Sequence, residues 1–229
     1  MRFIGGKARI AKHLAPIVLE TKPAFVIEPF CGGLHMTVAL LRHDPDLVVF
    51  ASDAHTDLID MWKAVQDGWD PPGHVSREEY YAAKNAEPSP ERTFIGYGCS
   101  FSGKWFGGYA NDSTGRNYAL NAKRSIDKIK SVLPRIVFTD GDYQDVTIRQ
   151  EAVVYCDPPY KDTTKPGERL NFDHKLFWEW VDRLPVLCYV SEYTAPPEFG
   201  VVWSKPVTTD MHTLTGQARR EERLFINHV

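Results

Sequence analysis

Cysteine is scarce: four residues in 229, at Cys31, Cys99, Cys156 and Cys188, with no Cys-x-x-Cys pair among them. That spacing excludes a zinc ribbon and a disulfide framework, and leaves free thiols, two of them inside apolar runs. The eight histidines show no His-Glu-x-x-His or other paired spacing, so no catalytic metal is expected. No apolar run approaches the roughly 18 residues of a membrane span. Arg2, Lys7, Arg9 and Lys12 interrupt any apolar stretch at the start, so no signal peptide is expected either. A reducing cytoplasm, with no membrane association, is the compartment these absences favour. The chain also lacks an overall excess of positive charge, with a net charge of -3 and a pI near 6.2. A nucleic-acid partner would then have to be met by charge gathered on one face.

What is present is an ordinary globular composition, 43% apolar and 25% charged, long enough for one domain carrying a sizeable insertion. Near-continuous apolar runs recur at 24–28, 47–51, 136–139, 152–156, 186–191, 200–203 and 224–227, as expected of strands buried on both faces. Helical spacing falls between many of them: Ile10, Leu14, Ile17 and Val18; Leu34, Val38 and Leu41; and Leu176, Phe177, Trp180, Val181 and Leu184 behind an N-capping Asp173. Strands alternating with helices predict a parallel, doubly wound α/β sheet. The alternation breaks from about Leu58 to Arg135, where a turn-rich segment, an acidic stretch, a glycine- and aromatic-rich stretch and a helix pattern (Ala122, Ile126, Ile129, Leu133) predict a mostly helical insertion.

Phe25-Val-Ile-Glu28-Pro-Phe30-Cys-Gly32-Gly33 leads from the first strand run into a helix. The two glycines allow close approach of a ligand to the backbone, although a tight strand-to-helix turn needs them too. Asp53 ends the next strand run, about 25 residues beyond Glu28. An acid there is placed to accept hydrogen bonds from ribose hydroxyls, or to cap a helix over Leu58–Val65; the two roles are compatible. Gly-x-Gly-x-x-Gly is absent, which disfavours a dinucleotide.

Asp157-Pro158-Pro159-Tyr160 follows the apolar run Val153-Val-Tyr-Cys156. Two prolines hold the segment extended and remove two N–H donors, so the Asp157 carboxylate and a main-chain carbonyl can face one point. An exocyclic amine offers two donors to such a pair, with Tyr160 stacking on its ring. The bland alternative is a Pro-Pro turn ending a strand. A given tetrapeptide arises by chance in roughly one chain in a thousand of this length.

These residues resemble a known family. Val153–Tyr160 looks like motif IV of the Dam-type, alpha-group DNA N6-adenine methyltransferases, and Glu28–Gly33 resembles their motif I. Ser52–Ile59 is similar to the acidic segment after motif I, Phe3-Ile-Gly-Gly-Lys7 to the N-terminal motif, and Asp140–Asp145 to the motif lining the cofactor's adenine. The chain departs from the pattern in carrying Phe3 where Trp or Tyr is common, and Leu34-His35 where a glycine and a serine are.

The resemblance implies a Rossmann-like seven-stranded mixed sheet of the class I methyltransferases. It implies a catalytic domain over 1–60 and 136–229 that binds S-adenosylmethionine, with a target-recognition insertion over 61–135. Cofactor contacts are implied for Phe3, Lys7, Glu28, Phe30, Gly32, Asp53, Tyr143 and Asp157, and catalytic roles for Asp157, Pro158 and Tyr160 on a flipped adenine of double-stranded DNA. From Gly96 to Arg135 seven basic residues face two acidic ones. Lys104, Asn111, Arg116, Lys123 and Arg124, with Arg219 and Arg220 near the C-terminus, are the expected DNA contacts; solvated lysines on a helix face are the plainer reading of each. A monomer acting in restriction-modification or a related role is the expected form. Methylation of N4-cytosine, RNA or protein amides, and a non-catalytic DNA-binding accessory protein, are the other readings.

Overall fold

The computed structural model describes residues 1, 3, 6–111, 114–161, 172–213 and 216–228; within 207–220 it describes the backbone alone, for the residues just given. Five strands, β1 (Phe25–Glu28), β2 (Val48–Asp53), β3 (Ile136–Asp140), β4 (Ala152–Cys156) and β5 (Cys188–Glu192), are followed by the long strands β6 (Gly200–Thr213) and β7 (Gly216–Ile226). Together they form one sheet in the order β3-β2-β1-β4-β5-β7-β6. The pairings among β1 to β5 are parallel, whereas β7 is antiparallel to both β5 and β6. This is the Rossmann-like, seven-stranded mixed sheet that the resemblance implied; the wholly parallel sheet read from the alternation fails at β7, which enters antiparallel through the hairpin with β6.

The apolar runs predicted the inner strands closely because their residues are enclosed on both faces; all five residues of β4 are buried. The last two runs were far too short. β6 and β7 extend as a hairpin through polar segments such as Gln217-Ala-Arg-Arg-Glu-Glu222, whose backbone groups are satisfied by the ladder itself.

Helices α1 (Ala11–Val18), α2 (His35–His43) and α3 (Thr56–Gln66) pack on one face of the sheet through Leu14, Val18, Leu40, Leu41, Leu58 and Trp62. Between α3 and β3 lie α4 (Arg77–Lys84), α5 (Pro90–Gly98) and α6 (Tyr118–Asp127), so the insertion is helical as expected. Its aromatic residues Tyr80, Phe94, Tyr97 and Phe106 join the same apolar cluster as α1 to α3, so the insert is built onto the core rather than hung from it. The α6 pattern extends less far than its periodicity predicts: the helix ends at Asp127, and Ile129 and Leu133 are buried in the turns that follow.

Helix α7 (His174–Asp182) covers the opposite face with Phe177, Trp178 and Val181, and Asp173 caps it by accepting from the Leu176 N–H, as predicted. Among the described residues, no helix is long and apolar enough to cross a membrane.

Strand order reverses about β1: β2 lies on one side and β4 on the other. At such a switch point the connections leave in opposite directions and open a crevice at the carboxyl ends of the strands. The turn after β1 and the segment after β4 both begin there.

Candidate active site

The turn after β1 is held from three sides. Cys31 N–H donates to the Ser52 carbonyl (2.9 Å), Gly32 N–H to Asp53 Oδ2 (3.0 Å), and the indole of buried Trp62 to the Gly32 carbonyl (3.0 Å). The backbone needs such support because it passes through the left-handed region at Gly32 (φ 44°) and again at Leu34 (φ 58°). Glycine adopts that conformation freely; leucine does so at a cost, offset here by complete burial of its side chain. The Phe3 ring lies over the turn, so that a Cβ on Gly32 would stand 2.9 Å from it. Phe3 in turn packs on Tyr97 of the insertion, ring centroids 4.8 Å apart.

Asp53 accepts from Gly32 N–H with one oxygen and from His55 N–H with the other (3.0 Å). Helix α3 begins at Thr56 after His55, so Asp53 ties the two turns together instead of capping the helix. Its partial exposure leaves it at the crevice rim. Glu28, by contrast, is buried at the end of β1, where the Thr37 hydroxyl donates to it. Burial pushes its carboxyl up to about 8, against the opposing hydrogen bond, so it is largely protonated at neutral pH.

Asp157 leaves β4 beside this turn. Its carboxylate pairs with the Lys7 ammonium at 2.7 Å, bringing together residues 150 positions apart. The Lys7 side chain is 8% exposed and that of Asp157 is 19%, so the acid, not the lysine, is what a ligand reaches. Burial pushes the Asp157 carboxyl up to about 6, against the opposing charge of Lys7. For Lys7, burial favours the neutral amine, but the charges of Asp157 and Glu222 overcome it and hold the pKa above its ordinary value. The ammonium also lies over the Tyr160 ring, 4.4 Å from its centroid, and Tyr193 meets that ring edge-on at 4.8 Å. Tyr160 O–H donates to Glu222 on β7, a residue no motif had marked. Nearby, buried Glu192 accepts from the N–H groups of Lys161 (2.6 Å) and Tyr193, fixing the chain just past Tyr160.

Two other expected cofactor residues, Phe30 and Tyr143, pack with the apolar cluster of α7. Phe30 and Tyr143 stack on each other at 5.5 Å, and Tyr143 is further enclosed by Phe172, Phe177 and Trp180. Tyr143 is therefore a core residue first, with little surface left for a ligand. Beside it, at the ends of β2 and β3, is a hollow of about 270 Å³ lined by Phe50, Ser52, Thr139, Asp142 and Val146 among others. The Ser52 hydroxyl is buried there without a hydrogen-bond partner. An apolar floor with a few hydroxyls and carboxylates has the composition of a nucleoside pocket.

The expected DNA contacts separate into groups. Asn111 and Arg116, both exposed, line a hollow of about 360 Å³ in the insertion, together with His74, Tyr109 and Tyr118. Arg124 is exposed on α6, and Lys104 is half-buried on the loop before Trp105. Lys123 is already paired with Asp70, as is Lys130 at 3.0 Å. Arg135 is likewise committed, donating to the carbonyls of Leu41 (2.6 Å), Asp44 and Pro45 (both 2.9 Å) at the end of α2. The side chains of Arg219 and Arg220 lie outside the described residues, as do Ile4 and Gly5 of the N-terminal motif.

Residues 3–96 match the model of the D12 class N6 adenine-specific DNA methyltransferases. No curated protein matches the chain. Among solved structures, a provisionally assigned O-methyltransferase from Nostoc punctiforme is 10% identical, with a TM-score of 0.43 over 96% of this chain and 56% of that one. This chain thus spans little more than half of that protein. TrmN from Thermus thermophilus is 14% identical (TM-score 0.41; 98% and 51% covered), and precorrin-6Y C5,15-methyltransferase from Geobacter metallireducens is 8% identical (0.40; 94% and 84%).

Proposed function

We propose, from the match of residues 3–96 to the D12 class adenine-N6 methyltransferases, that this chain is an S-adenosylmethionine-dependent enzyme methylating the N6 amine of adenine in double-stranded DNA. The observation that carries the reading lies outside the matched region. Asp157, in the run Asp-Pro-Pro-Tyr, stands at the carboxyl end of β4 with its carboxylate held by Lys7 and Tyr160 beside it.

Bound S-adenosylmethionine supplies a sulfonium methyl group already activated for transfer. The turn at Gly32, the rim acid Asp53 and the hollow around Ser52 offer backbone, carboxylate and apolar surface suited to holding it; Phe3, Glu28, Phe30 and Tyr143 support that wall. The chain's own work is on the amine. An adenine N6 is a poor nucleophile because its lone pair is delocalised into the ring. Accepting one N–H on the Asp157 carboxylate and the other on the Pro158 carbonyl favours a pyramidal nitrogen with its lone pair directed at the methyl carbon. Lys7 anchors Oδ1 of Asp157 and so fixes the direction of the acceptor. Tyr160 supplies the aromatic surface for the ring. A base in a duplex cannot reach a carboxylate in a crevice, so the target must leave the stack. Residues 61–135 are then the reader, with phosphate contacts from residues such as Lys104 and Arg124, and Asn111 and Arg116 on base edges.

Sequencing N6-methyladenine in host DNA after expression, beside an Asp157→Ala control, tests the reading. A new mark at defined sites, absent from the control, is the expected outcome. No mark, or N4-methylcytosine in its place, would overturn the assignment.

A further inference from the structure

Glu222 is 6% exposed on β7, in a run of charged residues, Arg219-Arg-Glu-Glu-Arg223, that reads as solvated surface. Its neighbour Glu221 conforms to that reading, pairing with Arg223 at 2.7 Å. Glu222 points the other way, as strand alternation requires. Its register partner on β6 is Lys205, but its ion pair runs to Lys7, with Oε1 at 3.6 Å from the ammonium. The same oxygen accepts the Tyr160 hydroxyl. One buried carboxylate oxygen is thus shared by the lysine that anchors Asp157 and the aromatic ring that follows the two prolines.

We propose that Glu222 is a positioning residue of the amine site, fixing the Tyr160 ring and the Lys7 ammonium through a single oxygen. The proposal rests on the amine-methylation reading and extends it to a strand that carries none of the motifs. Burying a second acid beside Asp157 costs desolvation and repulsion, and Lys7 offsets both by serving the two carboxylates at once. The geometry this secures is a base platform at a fixed height beside the acceptor. Without Glu222 the ammonium loses one of the two carboxylates of this pair, and the tyrosine loses the link from its hydroxyl to β7.

The titratable groups facing Asp157 among the described residues include Lys7 from the N-terminal segment, Glu28 from β1, Tyr155 and Cys156 from β4, Tyr160 after the prolines and Glu222 from β7. Glu222 is the one among them that shares the Lys7 ammonium with Asp157. Purified wild-type protein, Glu222→Gln, Tyr160→Phe and the double variant are to be compared by methyl-transfer kinetics and by ¹³C NMR titration of the Asp157 carboxyl. Glu222→Gln is expected to lower the Asp157 titration midpoint and to reduce kcat roughly tenfold, with the KM for S-adenosylmethionine changed less than about threefold. Tyr160→Phe removes one oxygen, which keeps the fold safe; it should leave the Asp157 midpoint in place and lower kcat. The double variant should lose no more kcat than the worse single one, because both changes cut the same link. Additive losses in the double variant, or an Asp157 midpoint unmoved by Glu222→Gln, would overturn the proposal. If the wild-type protein methylates no adenine, the function reading falls by itself, and the Asp157 titration still decides whether Glu222 acts on the site.

Discussion

Under the proposed function, Asp157 has to meet two requirements that pull against each other: enough burial to exclude water from the amine, and enough charge to accept a hydrogen bond from its N–H. Lys7 reconciles them, but only in part, since burial still leaves the carboxyl near 6. An acid whose pKa is raised is ionised only above that value, and the amine needs the ionised form as acceptor. The rate of methyl transfer should therefore rise with pH through about 6 and level off above it, as a kcat profile in the single-turnover regime would show. Asp157→Asn keeps the shape and presents an amide, which should cost on the order of 10²–10³-fold in kcat with a small change in cofactor affinity. A flat profile below pH 6 would remove Asp157 from the acceptor role.

The element that matters most is the turn between β1 and α2. It carries two left-handed residues, one of them a leucine, and it keeps that shape through Asp53 and Trp62, neither of which belongs to it. Asp53 is thus a brace as well as a candidate ribose acceptor. Asp53→Ala leaves the Gly32 and His55 N–H groups without that carboxylate, so the turn should loosen at about 1–3 kcal/mol of stability. Calorimetry should show S-adenosylmethionine bound roughly tenfold more weakly, and amide exchange at Gly32 should accelerate. Weakened binding with unchanged exchange would mean that the carboxylate serves the ligand alone. The insertion behaves as an element of the same kind. Tyr97 packs on Phe3 and, with Trp105, beside His55, so the insertion shares side chains with the N-terminal segment and the residue before α3.

At the scale of the whole molecule, two acids with raised carboxyls, buried Glu28 and half-buried Asp157, contribute to the response to pH. The Glu28 carboxyl stands at about 8 in the folded protein against an ordinary 4.5, and that of Asp157 at about 6 against 3.8. In both cases the folded state holds a proton that the unfolded chain has released, so stability is fully present below the unfolded value and declines as pH rises through the folded one. The window for Glu28 runs from about 4.5 to about 8. Glu28→Gln should flatten Tm over that window relative to the wild type, as thermal melts at stepped pH would show. A parallel offset at every pH would mean that Glu28 is ionised in both states.

Much of this molecule was determined by sequence alone. The inner strands, the helical insertion, the Asp173 cap and the two glycine- and proline-marked turns follow from local chemistry, because enclosure on both faces leaves unbroken apolar runs and tight turns demand particular residues. The match over residues 3–96 agrees with the resemblance read from the N-terminal motifs. The tertiary structure decided what depends on distance in the chain. It joined Lys7 to Asp157, enclosed Tyr143 in the core, paired Lys123 with Asp70 and turned Glu222 inward beside Tyr160. A charged side chain has no sequence signature for its partner: it reads as solvated surface until the sheet order brings β7 beside β5, and Glu222 with it to Lys7 and Tyr160.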